Sequence, residues 1–356
     1  MIGPSPKGLG GISRVVGIWE KGGIFDGHAI EYFPSVTDNN GNKFLFFFKS
    51  FLTYLWKLTR KPSLIFVHTS SHNSFFRKSF FILPAILAGH NIILHVHPSH
   101  FYEFFIGLNG FTQKYVQFCL DHIMGFIFLT EDMKDKFISI YPKKPMWILP
   151  NPVHVKALQN KHSISRKKNR ILFLGWFIPS KGIYELVDAI EILLAKGYLL
   201  YLDFYGTKQI DKLKDYIASK NLEKNIIVHG WINDQEKIDV LYRSTMLVLP
   251  SYTEGLPNVI LEAMATRTPI IATHVGGLRE LLRNGENALI VTPKDPVDLS
   301  EKISFLLSNP NIRDRLAENA YRQVKEKYDI SKIKQNFDQI IKDIIKIQGD
   351  DNHFQN

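Results

Sequence analysis

Short apolar runs alternate with amphipathic stretches along most of the chain. In the first half, residues 31–35, 63–67, 92–96 and 124–130 read as strands. In the second half, residues 171–175, 199–205, 226–229, 246–249, 269–273 and 287–291 do the same. Helical periodicity fills the gaps at 12–19, 44–58, 75–87, 113–121, 184–194, 210–220, 235–244, 259–265 and 278–283. Thr130 is placed to cap one more helix, with acids following it. Three helices close the chain at 296–307, 312–325 and 330–347. The last carries an apolar stripe of Ile333, Phe337, Ile340, Ile341, Ile344 and Ile345. Asp38 to Asn42 reads as a polar turn, Pro62 as a helix end, and 101–111 as an aromatic loop. A strand-helix rhythm at roughly 30-residue spacing predicts an α/β protein with doubly wound parallel sheets.

At 356 residues the chain is long enough for two domains of ordinary size. The basic, polar stretch 154–169 reads as the linker between them. The expected division is 1–153, linker 154–169, 170–329, a last helix 330–348, and a tail 349–356 without fixed structure. Apolar residues make up 45% of the chain, as in globular proteins. The single cysteine, Cys119, rules out an intrachain disulfide and reads as a packed core residue. Residues 1–14 lack the apolar core of a secretion leader.

The net charge of +10 calls for an anionic partner. No nucleic-acid motif is present and the lysines are scattered, so a phosphate-bearing substrate or an anionic membrane surface is expected and nucleic acid is not. The stretch 44–58, FLFFFKSFLTYLWKL, is too short to span a bilayer and is interrupted by Lys49. It reads as a core helix, with membrane contact as the alternative. Arg77 and Lys78, near the start of the next helix, either serve an anionic acceptor or are solvated.

The richest chemistry lies at 250–277. Two acids, Glu254 and Glu262, sit in an apolar segment with no Lys or Arg before Arg267. Glu254 falls on a loop at a strand's C-terminal end, where ligands bind in open α/β sheets. Pro257 and Asn258 start a helix whose first-turn amides suit a phosphate. Chance placement on a solvated helix face is the plain alternative. Near the start, Gly8, Gly10 and Gly11 form a loop feeding a helix, which lets backbone amides approach phosphate. An ordinary tight turn, or a dinucleotide fingerprint with Glu31 as ribose acid, would look similar, though Ser13 occupies the third glycine position of such a fingerprint. Two strands end in histidine: His68, and the pair His95 and His97 on one face. Zinc is conceivable there, but no fixed ligand spacing is seen.

The run Glu254-Gly255-Leu256-Pro257-Asn258, then Glu262-Ala263-Met264-Ala265, Gly276-Gly277 and Glu280, resembles the signature of family 4 of the retaining, nucleotide-sugar-dependent glycosyltransferases. The resemblance implies the GT-B fold, two Rossmann-like domains facing a central cleft, with the last helix returning to the first domain. It implies that Glu254 lies by the donor sugar and Glu262 holds the ribose. Lys181, followed by Gly182, matches the family's phosphate-binding lysine. Gly10, Gly11, Gly255, Leu256 and Asn258 would add donor contacts, and His97, or else His68, would touch the transferred sugar. Two departures stand out. Trp176 occupies the place of a usual arginine, and only Met1 and Ile2 precede Gly3 where a full strand is expected.

The implied reaction moves a sugar from a nucleoside diphosphate sugar to a lipid-linked or surface-glycan acceptor, with configuration retained. The donor is a substrate; no separate cofactor and no metal is expected. The implied location is the cytoplasm, peripheral on the inner face of a membrane. A nucleotide-sugar epimerase on the same fold and a catalytically weak binding subunit are the alternatives.

Overall fold

The computed structural model describes residues 1–8, 10–37, 42–59, 64–98, 100–159 and 164–353, the side chains of 349–353 excepted. Residues 38–41 of the expected turn, Pro62, Ser63, 160–163 of the expected linker and 354–356 of the expected tail lie outside them. The chain divides into two compact units, Met1–Pro152 with Ile330–Asn356, and Val153–Asp329.

In chain order the first unit contributes β1 (Ile2–Gly3), α1 (Gly11–Lys21), β2 (Phe33–Pro34), α2 (Lys43–Leu58), β3 (Leu64–Thr69), α3 (Asn73–Leu87), β4 (Asn91–Val96), α4 (Phe101–Ile106), α5 (Gly110–Asp121), β5 (Gly125–Phe128), α6 (Glu131–Ile138) and β6 (Met146–Ile148). The second unit follows with α7 (Val155–Leu158), β7 (Arg170–Phe177), α8 (Ile183–Ala195), β8 (Tyr201–Lys208), α9 (Ile210–Ser219), β9 (Ile226–His229), α10 (Asp234–Arg243), β10 (Met246–Leu249), α11 (Asn258–Ala265), β11 (Ile270–Thr273), α12 (Leu278–Leu281), β12 (Leu289–Val291), α13 (Pro296–Ser308) and α14 (Pro310–Lys327). Helix α15 (Ile330–His353) belongs to the first unit and runs without a break past Gly349.

The first unit holds a parallel six-stranded sheet in the order β2-β1-β3-β4-β5-β6. Strand β1 is only two residues long, yet it is central: Ile2 pairs with both Phe33 and Val67 and is fully buried. On one side of the sheet, Trp19, Phe66, Ile93, Ile127 and Leu149 pack against Ile333, Phe337, Ile340 and Ile344 of α15. The spacing of that last set is the stripe read from the sequence, and burying it removes an otherwise exposed apolar face.

Two expectations fail in this unit. Residues 101–111 are not a loop. Most of them form α4 and the start of α5, because Phe101, Phe104 and Phe105 find a buried aromatic nest with Phe75 and Phe137. Nor is α2 a core helix. Tyr54 is its only fully buried residue, and its outward side keeps five large apolar side chains in solvent. Helical periodicity marks two faces; it does not say how many have a neighbour.

The second unit repeats the architecture in the order β12-β11-β10-β7-β8-β9, again all parallel. Strands β7 and β8 pair continuously from Arg170↔Tyr201 to Phe177↔Lys208. Parallel pairing requires a crossover after each strand, so the loops leaving the strand C-termini gather at one edge. Helix starts follow the expected chemistry: Asn233 and Glu236 form a capping box on α10, and Asp295 with Pro296 opens α13. The stretch expected as a linker is part of this unit. It contains α7, and the Lys167 amide donates to the Arg243 carbonyl at 2.8 Å.

Phe337→Ala should destabilise the first unit by about 3–5 kcal/mol through the cavity it leaves. Urea unfolding followed by far-UV circular dichroism checks this; a change below about 1 kcal/mol would show that the α15 stripe is not part of the core.

Candidate active site

The second unit builds its site from two loops that leave neighbouring strands. After β7, a single 3-10 turn at Pro179–Lys181 ends on Gly182 at φ 68°. A Cβ on Gly182 would lie 2.2 Å from the Pro250 carbonyl oxygen, so only glycine allows this approach. The Tyr252 amide donates to the Ser180 carbonyl at 2.8 Å and fixes the second loop, which leaves β10. The two loops bring Lys181 Nζ to 2.6 Å from Glu254 Oε1. Glu254 is 7% exposed, and the Gly277 amide donates to its backbone carbonyl at 3.3 Å. The sequence-predicted cation and carboxylate are therefore direct partners.

Glu262 lies on α11, 2% exposed, and accepts from Lys237 Nζ at 2.7 Å. Lys237 comes from α10, 25 residues earlier, and nothing in the local sequence marked it. Removing Lys181 would take from the buried Glu254 carboxylate its charged partner, a change that is costly for a group out of solvent. Helix α11 starts at Asn258 behind Pro257, with no side-chain cap. Its first turn follows Gly255 and Leu256 in the chain, and the Ile260 amide there donates to the Pro257 carbonyl at 3.1 Å. Trp176 is 41% exposed near the end of β7, and Lys208 Nζ from the neighbouring strand sits 5.3 Å from its ring centroid. A cation thus stands beside the position where the expected arginine is missing. A cavity of about 580 Å³ elsewhere in this unit is lined by His274, Arg279, Arg283 and the β12 edge, and by none of the predicted site residues.

In the first unit, parallel register places His68 directly beside His95, and alternation adds His97 to the same face. His68 Nδ1 and His97 Nε2 are 3.1 Å apart, and the His95 and His97 ring centroids 4.2 Å. Nitrogen atoms of all three lie within 4.8 Å of one another, close enough to share a transition-metal ion. The indole of Trp19 stacks on His95 at 5.6 Å. Burial drives all three histidines toward the neutral form, His95 to about 3, with the Leu149 carbonyl offsetting this only in part. His97 is 9% exposed against 0% for His68 and His95, which favours it as the residue a ligand could reach.

Lys78, one of two cations left open as solvated, is 1% exposed and donates to Ser74 Oγ at 2.6 Å. Burial, and then the Arg77 charge, lowers its pKa to about 7. Gly10 is the N-cap residue of α1, again without a side-chain cap, and a Cβ on Gly10 or Gly11 would meet no protein atom within 4 Å. Packing inside the unit does not explain glycine at either position.

Residues 155–323 match the family described as "Glycosyl transferases group 1". Over that stretch, just under half of the chain, the second unit is similar to this family. An uncharacterized glycosyltransferase of Methanocaldococcus jannaschii is 34% identical over 191 residues, which is 54% of this chain and 49% of that protein. The capsular polysaccharide biosynthesis glycosyltransferase CapM of Staphylococcus aureus is 25% identical over 61% of this chain and 60% of its own length. The chain thus spans about half to three fifths of the length of these relatives. Among solved structures, sucrose-phosphate synthase of Thermosynechococcus elongatus superposes with a TM-score of 0.77 at 18% identity, covering 97% of this chain and 99% of that one. Anabaena HepE in complex with UDP gives 0.73 at 16%, covering 96% and 98%. At these identities the likeness is one of fold, and the two parallel six-stranded sheets of this chain are those of the GT-B class.

Two outcomes follow for the site. Gly182→Ala should cost at least about 1–3 kcal/mol through backbone strain at the Pro250 carbonyl; an unchanged melting temperature would mean the 3-10 turn does not set the approach. Below pH 6.5 the unfolded chain protonates His95 while the folded chain does not until about 3. Stability should therefore fall with falling pH in that window, by about 1.4 kcal/mol per pH unit for this residue. Urea unfolding at pH 7, 6 and 5 should show a shallower fall in His95→Leu, and an equal slope would mean His95 is charged when folded.

Proposed function

We propose that the protein is a retaining, metal-independent glycosyltransferase that moves a sugar from a nucleoside diphosphate sugar to an acceptor of a surface glycan. The observation that carries this reading is the Lys181–Glu254 pair, 2.6 Å apart beside the uncapped start of α11. A bound diphosphate offers Lys181 a stronger anionic partner, and it frees Glu254 to accept hydrogen bonds from sugar hydroxyls. As the bond from the anomeric carbon to the diphosphate oxygen breaks, negative charge grows on that oxygen. Lys181 and the amides around Leu256 and Asn258 would stabilise it. Glu262, on the same helix, would hold the ribose hydroxyls, and Lys208 would stand in for the cation absent at Trp176. The roles proposed in the first unit are diphosphate contact by the Gly10 and Gly11 amides and sugar contact by His97, with His68 behind it.

Relatives support the substrate classes. HepE has been solved with UDP and with UDP-glucose, which favours a UDP-sugar donor. CapM is named for capsular polysaccharide, and a poly(ribitol-phosphate) α-N-acetylglucosaminyltransferase of Staphylococcus aureus is 24% identical over 67% of this chain, so a lipid-linked or polymeric surface acceptor is favoured.

Calorimetry with UDP- and GDP-sugars tests the donor. Glu262→Ala should weaken nucleotide affinity by about tenfold or more, through the loss of two charged hydrogen bonds. Glu254→Gln should leave nucleotide affinity nearly unchanged and lower turnover by about 100-fold or more. No binding of any nucleoside diphosphate by the parent protein would favour a scaffold role, and nucleotide release without an acceptor would favour an epimerase or hydrolase.

A further inference from the structure

We propose that the outward face of α2 docks the first unit onto an anionic lipid surface. Phe44, Leu45, Phe48, Leu52 and Trp56 are 71, 67, 41, 60 and 57% exposed. At 100° per residue they occupy one continuous arc, roughly 120° wide, which is the width of a buried helix face. Phe80 of α3, 58% exposed and 6.1 Å from the Phe47 ring, widens the patch. The opposite face holds α2 on the unit. The rings of Phe47, Phe51 and Tyr54 lie 5.6, 5.4 and 5.1 Å from that of Phe81, and the Tyr54 hydroxyl donates to the Phe81 carbonyl at 2.8 Å. The helix is thus anchored on one side, and its other side is exposed.

Charge selects the occupant. Residues 43–61 contain five basic residues, Lys43, Lys49, Lys57, Arg60 and Lys61, and no acid. Lys49 borders the apolar arc, and Lys57 Nζ sits 5.6 Å from the centre of the Trp56 ring while pairing with Glu31. A second copy of this chain would bring like charge against like, on a molecule of net charge +10. Anionic headgroups match the lysines, and the acyl boundary takes the aromatic and leucine side chains. Trp56 has the amphipathic ring favoured at that boundary. No described helix is long and apolar enough to cross a bilayer, so α2 would lie in the plane of the interface. This inference does not rest on the donor-site reading, and its failure would leave that reading untouched.

Flotation of the full chain with phosphatidylcholine vesicles, with and without phosphatidylglycerol, tests it. The parent should bind the mixed vesicles, more weakly as salt rises, and bind pure phosphatidylcholine at least about tenfold less. The combined substitutions Phe48→Ser, Leu52→Ser and Trp56→Ser should lower vesicle affinity by more than about tenfold while the far-UV circular dichroism spectrum stays that of the parent. Should that variant misfold by circular dichroism, vesicles with brominated acyl chains decide: they should quench the parent's fluorescence and quench Trp56→Phe much less. Absent binding to anionic vesicles, equal quenching of parent and Trp56→Phe, or vesicle binding untouched in the folded triple variant would each overturn the proposal. So would a parent dimer that the triple variant converts to monomer, which would assign the face to a second copy.

Discussion

A buried carboxylate has to be answered by a cation, and in the second unit that requirement ties the site together. Glu254 and Glu262 are both almost wholly out of solvent. Each has a lysine within hydrogen-bond distance, from a different element. The closer of the two depends on a backbone approach that tolerates no side chain at Gly182. An ion pair of this kind contributes little net stability over apolar packing, yet it is costly to leave half made. It therefore restricts which loop positions are allowed more than it stabilises the fold. The restriction leaves a cation, a carboxylate and a set of helix-start amides together at the strand ends.

The first unit solves a different problem with neutral groups. Three histidines on one face of β3 and β4, and beyond the end of β4, are buried, His68 and His95 against Trp19, where a charge would be poorly solvated. The hydrogen bond between His68 and His97 needs one donor and one acceptor, which two neutral rings supply. Lys78 extends this polar interior, and its proton is weakly held for the same reason. Such clusters cost stability at low pH.

Helix α2 shows how far one face can be understood without the other. Its inner aromatic side is satisfied by α3, and that packing fixes the helix in place. Its outer side is also rich in large apolar side chains, and among the described residues these stay 41–71% exposed. Five large apolar side chains on a basic helix are unusual for a water-facing surface. Hydrophobic burial and lysine charge point to the same environment, the boundary between headgroups and acyl chains.

By itself the sequence determined the alternation of strands and helices, because period-two and period-3.6 patterns are local. It determined the α15 stripe, the spacing of Glu254 and Glu262, and the position of Lys181 before an obligatory glycine. Tertiary structure decided which charges meet. Lys237 lies 25 residues from Glu262, and only the folding of the second unit brings the two together. His95 became part of a cluster because the register of β3 and β4 aligns it with His68, which neither strand specifies alone. Lys208 came to stand over Trp176 by the pairing of β7 with β8. The aromatic run at 101–111 looked like a loop until Phe137 gave it something to pack on. Whether an apolar face is core or surface depends on a partner element, and a partner is a fact about space rather than about the order of residues.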